Sequence, residues 1–123
     1  MREDLHKVRD LLQAQVFESE LEQAQELFRS NYQSAAAVIA GVVLETTLRR
    51  MCQDRTLSVG KLDKMNADLA KAGVYNSVTQ KRITALAAVR NSAAHGKPEE
   101  FNKDDVSAMI RGVERFVAFN TIA

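Results

Sequence analysis

The sequence has little of what sheets and tight turns require. Its 123 residues include one proline, five glycines and no tryptophan, and aromatic residues make up only 6% of it. Sandwiches and barrels need frequent turn residues, and their strands are rich in aromatic and β-branched side chains. The composition therefore favours an all-α fold, and the length suits one domain with a single core.

Cysteine is almost absent, and so are the familiar motifs for metals and phosphates. Cys52 is the only cysteine, which excludes an internal disulfide and a zinc site built on paired thiolates. The sequence contains no His-Glu-x-x-His zinc pattern, no glycine-rich phosphate loop and no Gly-x-Ser-x-Gly elbow. We therefore expect neither a bound metal nor a cofactor.

Long hydrophobic runs are missing as well. The longest wholly apolar run, from Ala35 to Leu44, covers ten residues, about half of the ~20 that a membrane-spanning helix needs. The segment from Met1 to Lys7 is charged where a secretory signal has its apolar core. These features predict a soluble, cytoplasmic protein without membrane contact.

Charge is nearly balanced overall but unevenly distributed. The formal net charge is +1, whereas residues 51–97 alone carry 8 lysines and arginines against 3 acidic residues. A basic surplus of this kind attracts a polyanion if it lines a groove. If these residues do not line a groove, they form an ordinary basic face exposed to solvent.

Apolar residues recur at spacings of three and four, which is the repeat of amphipathic helices. The run from Ala35 to Leu44 is apolar on every side, so its helix should be central. We predict an antiparallel bundle of four to five helices forming a single domain over residues 1–123. The predicted helices, apart from the amino-terminal region, cover residues 32–54, 61–72, 77–95 and 102 to the carboxyl end.

The first thirty residues carry two apolar stripes. The second stripe is rotated by more than a quarter turn from the first on one straight helix. Either the helix breaks near Glu18 and Ser19, which leaves residues 1–18 as an additional helix, or its two ends pack on different partners. Ser19 is a candidate cap with Glu22, and Asn31 and Ser34 are start signals for the next helix. The stripes are Leu5, Val8, Leu12 and Val16, followed by Phe17, Leu21, Ala24 and Phe28.

One segment stands out for its chemistry: Arg90-Asn91-Ser92-Ala93-Ala94-His95-Gly96. Asn91 and His95 are four residues apart and share a helix face, while Arg90 and His95 diverge by about 140° on a regular helix. Gly96 lets the chain turn after His95 and leaves the imidazole at an accessible helix end. The other histidine, His6, lies among terminal charges, which indicates a solvated side chain.

The Arg90-Asn91-x-x-x-His95 motif, on the penultimate helix of a small bundle, resembles that of the HEPN superfamily. The segment from Ala35 to Glu45 is similar to the central helix of many bacterial members. The resemblance covers the chain from about Glu20 to the carboxyl end. It implies a HEPN-like fold for the bundle.

The resemblance also implies an activity, a metal-independent endoribonuclease that works as a homodimer with one shared cleft. Arg90 and His95 would be the active pair, and Asn91 would support them. Many members are toxins of toxin and antitoxin pairs or act in phage defence, so RNA and an antitoxin or other protein are the implied partners. Other members are inactive modules that bind a nucleotide or dimerise.

The chemistry is reasonable on physical grounds. RNA carries its own nucleophile, the ribose 2′-hydroxyl, which needs a proton acceptor, and an imidazole exchanges protons near neutral pH. A guanidinium stabilises charge that develops on the phosphate. Since the chain has one credible catalytic histidine, His95, the leaving oxygen must take its proton from water or from a second subunit. The alternative is an inert helix end stabilised by the same polar residues.

Further residues are weaker candidates. Glu45, a carboxylate on the central helix, either orients Arg90 or His95 or forms a structural ion pair, and we favour the structural role. Several cations are candidate contacts to the RNA backbone if they border the same cleft, although such charges are usually solvent cover. These cations are Arg49, Arg50, Lys81, Arg82 and Lys97.

Overall fold

The computed structural model describes the backbone of residues 2–121 and the side chains of residues 8–120. Within that range the chain is an all-α bundle, as predicted, with five α-helices and one short 3-10 turn. The turn covers Pro98–Glu100. The helices are α1 (Arg2–Arg29), α2 (Gln33–Asp54), α3 (Leu62–Lys71), α4 (Ser77–Ala94) and α5 (Lys103–Thr121).

Helix α2 is the centre of the bundle and packs against each of the other four helices. Its apolar character on all sides explains this position, because several of its faces can then meet a neighbour. The small residues Ala36, Ala37 and Ala40 are fully buried and allow close helix approach. Leu44 and Leu48 continue the same core and are also fully buried.

Helix α1 is uninterrupted, so the first of the two alternatives, a break near Glu18 and Ser19, is wrong. Residues 2–18 form the first part of this helix rather than a helix of their own, and Ser19 lies inside it rather than at its start. The change of apolar face does not interrupt the backbone, because helical hydrogen bonds form regardless of which side is apolar. Phe17, on the second stripe, is buried.

The first apolar stripe of α1 faces away from the bundle at Val8, Leu12 and Val16, whereas the side chain of Leu5 lies outside the described residues. Val8 and Phe17 are nine residues apart and therefore about 180° apart around the helix, and only Phe17 is in the core. These residues therefore meet solvent in the single chain, and the second alternative, in which the two ends of α1 pack on different partners, stays a prediction. We call the exposed set the α1 stripe; it consists of Val8, Leu11, Leu12 and Val16.

Asn31 ends α1 instead of starting α2. Its φ is +70°, the left-handed conformation that commonly terminates helices. The amide of Tyr32 then donates to the carbonyl of Leu27 at 2.8 Å, which closes the last turn. Helix α2 begins one residue later than predicted, and its N-terminus has no side-chain cap.

A buried polar network fixes the connection between α3 and α4. Asn66, 2% exposed, donates from Nδ2 to the carbonyl of Gln80 at 3.1 Å and to the hydroxyl of Thr84 at 3.2 Å. The Tyr75 hydroxyl donates to Asn66 Oδ1 at 2.6 Å. Because the polar atoms of the Asn66 side chain all have partners, the network specifies how α4 lies against α3.

Sharp signals bound the carboxyl end of α4 and the start of α5. Gly96, with φ +69°, turns the chain out of α4 directly after His95, as predicted. Asn102 and Asp105 form a reciprocal cap at the start of α5, since each backbone amide donates to the other's side chain at 2.9 Å. Met109 of α5 is fully buried in the core. No helix in the described part of the chain is both long and apolar enough to cross a membrane.

Candidate functional site at the end of α4

The side chain of Arg90 packs against Gly41 and Glu45 of α2, and we call this place the Arg90 seat. Gly41 gives space for the aliphatic part, because a Cβ atom built on Gly41 would lie 2.9 Å from Arg90 Cβ and closer still to Cγ. One turn further along α2, Glu45 accepts a hydrogen bond from Arg90 Nη2 at 3.2 Å. Glycine at position 41 is therefore required by the close approach of α4.

Glu45 is shared between two arginines. Its Oε2 faces Arg90 and its Oε1 lies 3.7 Å from Arg49 Nη2, one turn away on the same helix. The Glu45 side chain is 25% exposed and that of Arg90 30%, so both charges keep contact with water. This arrangement pairs Glu45 with Arg90, and the contact fits both the structural ion pair that we favour and the alternative in which Glu45 orients Arg90.

Asn91 extends the contacts of the same guanidinium. Its Oδ1 accepts a hydrogen bond from Arg90 Nη1 at 3.1 Å. Nη1 and Nη2 of Arg90 are thus held by an amide and a carboxylate, while the side chain of Asn91 stays exposed. The guanidinium is fixed in position at the end of α4, where it can still reach a phosphate through its exposed edge.

His95 is the C-cap residue of α4 and is exposed. Its backbone amide donates to the carbonyl of Asn91 at 3.0 Å, whereas no described residue forms a hydrogen bond or ion pair with its ring. Helical geometry places it about 7.5 Å along the axis and about 140° around it from Arg90. The two groups share one end of α4 but leave it in different directions.

The turn after α4 adds a polar contact that the sequence pattern did not predict. Ser92 Oγ donates to Glu100 Oε2 at 2.7 Å, and Lys97 Nζ lies 3.8 Å from the other carboxylate oxygen of Glu100. These contacts tie the 3-10 turn back to α4. They also pair Lys97, one of the candidate RNA contacts, with an acid.

The remaining candidate cations do not gather at one place. Arg50 is only 7% exposed and donates to Gln13 Oε1 at 3.2 Å and to the carbonyl of Asn120 at 2.9 Å. It joins α1, α2 and α5, with its guanidinium turned away from solvent. Arg49 is exposed beside Glu45, and Lys81 and Arg82 are exposed near the start of α4.

Arg50 and Arg49 make a matched pair for a test of structural role. We expect Arg50→Ala to lower the free energy of unfolding by about 1–3 kcal/mol, because it leaves the Asn120 carbonyl without its donor and removes a packed side chain. Arg49→Ala should change it by less than about 1 kcal/mol, since its ion pair is exposed. Urea unfolding followed by circular dichroism measures both. Equal effects of the two substitutions would contradict this assignment.

Burial shifts the pKa values of Cys52 and Tyr75, which lie elsewhere in the bundle. Burial raises the pKa of the Cys52 thiol, with a smaller contribution from the Asp68 carboxylate, so the thiol stays protonated and is a poor nucleophile. Burial also raises the pKa of Tyr75, which keeps it a neutral donor to Asn66. Among the described residues no group of three or more histidine, cysteine, aspartate or glutamate side chains could hold a metal ion.

The chain matches a known family over most of its length. Residues 22–121 match the family described as "Domain of unknown function (DUF4145)", and the protein therefore belongs to it. The match includes the whole of α2 to α5 and the Arg90 seat, and it begins inside α1, beyond the α1 stripe. No curated protein and no solved structure matches the chain.

Proposed function

We propose that this protein is a metal-independent endoribonuclease of HEPN-like type, acting in the cytoplasm as a homodimer. The observation that carries the proposal is the end of α4, where Arg90 is fixed by Gly41, Glu45 and Asn91 while the ring of His95 is exposed and bonded to no described residue. A fixed cation and a free imidazole are the two groups that phosphodiester cleavage by RNA's own 2′-hydroxyl requires.

In the proposed reaction the His95 imidazole accepts the proton of the 2′-hydroxyl as its oxygen attacks phosphorus. The bond between phosphorus and the 5′-oxygen breaks, and that oxygen takes a proton from water or from the second subunit. Arg90 stabilises the charge on the phosphate oxygens, since a guanidinium remains charged and offers two parallel donors. The products are a 2′,3′-cyclic phosphate and a 5′-hydroxyl.

The direction of the two side chains supports the proposed homodimer. Arg90 turns toward α2 while His95 lies about 140° away around α4, so one chain presents the pair across a wide angle. Two copies related by a twofold axis supply two arginines and two histidines to one cleft. The proposed role in a toxin and antitoxin pair or in phage defence rests on the family resemblance, and an antitoxin would be a further partner.

A second candidate function is an inactive module that binds a nucleotide or a partner protein. The engagement of Arg90 by Glu45 and Asn91 favours it, because these contacts would also stabilise an inert helix end. The α1 stripe favours it too, since exposed apolar faces commonly meet other proteins.

The decisive experiment is incubation of the purified protein with single-stranded RNA in excess chelator. We expect fragments that end in 2′,3′-cyclic phosphate and begin with 5′-hydroxyl, identified by mass spectrometry. Cleavage per protein molecule should rise with protein concentration as the dimer forms, and light scattering measures that assembly in parallel. RNA that stays intact at protein concentrations where the dimer is populated would contradict the proposed enzyme and favour the inactive module.

A further inference from the structure

A second cationic surface lies between α4 and α5, apart from the end of α4 that carries His95. It is a cavity of about 620 Å³. On α4 it is bordered by Thr79, Arg82 and Leu86, and on α5 by Gly112, Arg115 and their neighbours one turn on. Leu86 packs closely on Gly112 and forms part of the floor of the cavity. We call this surface the α4–α5 groove.

The cations of the groove have no partners in the described part of the chain. Arg82 and Arg115 are both exposed, and neither guanidinium forms an ion pair or hydrogen bond with a described residue. None of the described residues that line the groove is acidic. Two free cations facing one cavity attract an anionic ligand and favour one with more than one negative group.

Aromatic rings accompany these cations. Phe119 is 77% exposed, which is unusual for so large an apolar side chain on a folded helix. Phe116, one turn earlier, stacks edge-on against Tyr75 with ring centroids 6.1 Å apart and an interplanar angle of 77°. Because the Tyr75 hydroxyl is bonded to Asn66, this pair is held in place one turn before the exposed ring of Phe119.

From this arrangement we infer that the α4–α5 groove binds single-stranded RNA, with phosphates on Arg82 and Arg115 and a base stacked on Phe119. Unpaired guanidinium groups beside a ring are how non-sequence-specific proteins hold single strands. An apolar helix of a partner protein fits less well, because it would desolvate two arginines without offering them an acidic partner. The choice of RNA as the occupant rests on the proposed function and extends it, since the groove would hold the strand away from the cleavage site.

The chain's lack of tryptophan makes Phe119→Trp a specific probe of stacking. In a cleavage-inactive His95→Ala background, we expect oligoadenylate to quench the emission of the tryptophan at position 119. Phe119→Trp should keep the affinity of the His95→Ala protein, whereas Phe119→Ala should raise Kd about 5-fold or more. Emission unchanged by saturating RNA, or equal Kd values for the tryptophan and alanine variants, would overturn the assignment.

The arginines are tested by salt dependence. In the same background we expect Arg82→Ala with Arg115→Ala to raise Kd about 10-fold at moderate salt and to reduce the slope of log Kd against log salt by about 0.7 for each phosphate that the variant no longer binds. Arg111→Ala is the matched control, because Arg111 is exposed on α5 without lining the groove. Equal loss of affinity in the control and the double variant would overturn the inference.

The outcomes separate this inference from the proposed function. If the wild-type protein cleaves RNA and every groove variant cleaves it equally well, the proposed enzyme stands and the proposed role of the groove is wrong. If RNA binding depends on the groove residues but the wild-type protein cleaves no RNA, the proposed enzyme is wrong and the proposed role of the groove stands. A dimer that Phe119→Ala disperses in light scattering, together with no RNA binding, would show that a second copy covers the groove and would overturn its assignment to RNA.

Discussion

Replacing His95 by alanine is expected to slow RNA cleavage about 10²- to 10⁴-fold, because a positioned general base contributes that much to proton transfer. Arg90→Ala should cost about 10²- to 10³-fold, since it removes the charge that stabilises the phosphate in the transition state. Initial rates of cleavage of a labelled oligoribonucleotide measure both. The combined variant should be little worse than the slower single variant, because residues that act as a unit are not additive.

Matched substitutions away from the site provide the controls. His6→Ala removes the only other histidine, and Arg29→Ala removes an exposed arginine paired with Glu26 at the end of α1. Both should cleave at the wild-type rate. Free imidazole should partly restore cleavage in His95→Ala, which a merely structural histidine would not allow. Full activity in His95→Ala would assign the cleavage to another group or to a contaminating nuclease.

Substitution of Gly41 by alanine is expected to lower the free energy of unfolding by about 1–3 kcal/mol, although alanine is the better helix former by about 1 kcal/mol. The added methyl group would overlap the first atoms of the Arg90 side chain. Those atoms are close to the backbone and cannot swing aside, so α2 and α4 must separate or the arginine must leave its seat. In either case the contact with Glu45 is disturbed and cleavage should fall as well.

A double-mutant cycle tests whether the overlap with Arg90 causes the loss of stability in Gly41→Ala. Adding Arg90→Ala to Gly41→Ala removes Cγ and all atoms beyond it, which relieves the closest overlap. We expect the two substitutions to be coupled by at least about 1 kcal/mol in urea unfolding, in the direction that makes the pair less harmful than the sum. Ala36→Gly, at a buried position on the same helix, should show no coupling to Arg90→Ala. Additive effects of Gly41→Ala and Arg90→Ala would rule out the seat.

Most of the helices could be predicted because their signals are local. Gly73 and Gly96 both adopt positive φ at helix ends, and the polar residues at the start of α5 form a reciprocal cap. The error in α1 has a physical cause, because a change in the apolar face does not require a break. A helix whose backbone hydrogen bonds are intact can present one side to the bundle at one end and another side to solvent at the other.

The candidate site was predictable only in part. The motif placed Arg90, Asn91 and His95 at one helix end, and Glu45 stands out because a carboxylate on a central helix needs a partner. Nothing in the spacing indicated that Gly41 would accommodate Arg90, because the two are far apart in the chain and meet only when α2 packs on α4. Arg50 is a candidate by its charge alone, and its burial depends on residues of α1 and α5 that are remote in sequence.

The groove between α4 and α5 could not be predicted from the sequence for the same reason. In the sequence, Arg82 and Arg115 each stand between a charged and an apolar residue, which is the ordinary pattern of a partly exposed face. Only the packing of α4 against α5 brings Arg82 and Arg115 to one cavity and leaves Phe119 uncovered.

The continuity of α1 determines where anything bound to its amino-terminal half would stand. Because α1 is continuous, the direction in which the α1 stripe points is fixed relative to the bundle. Two residues inserted after Ser19 would turn it by about 200° and lengthen the helix by about 3 Å. A molecule attached there would swing to the opposite side of the bundle, while the end of α4 would stay unchanged.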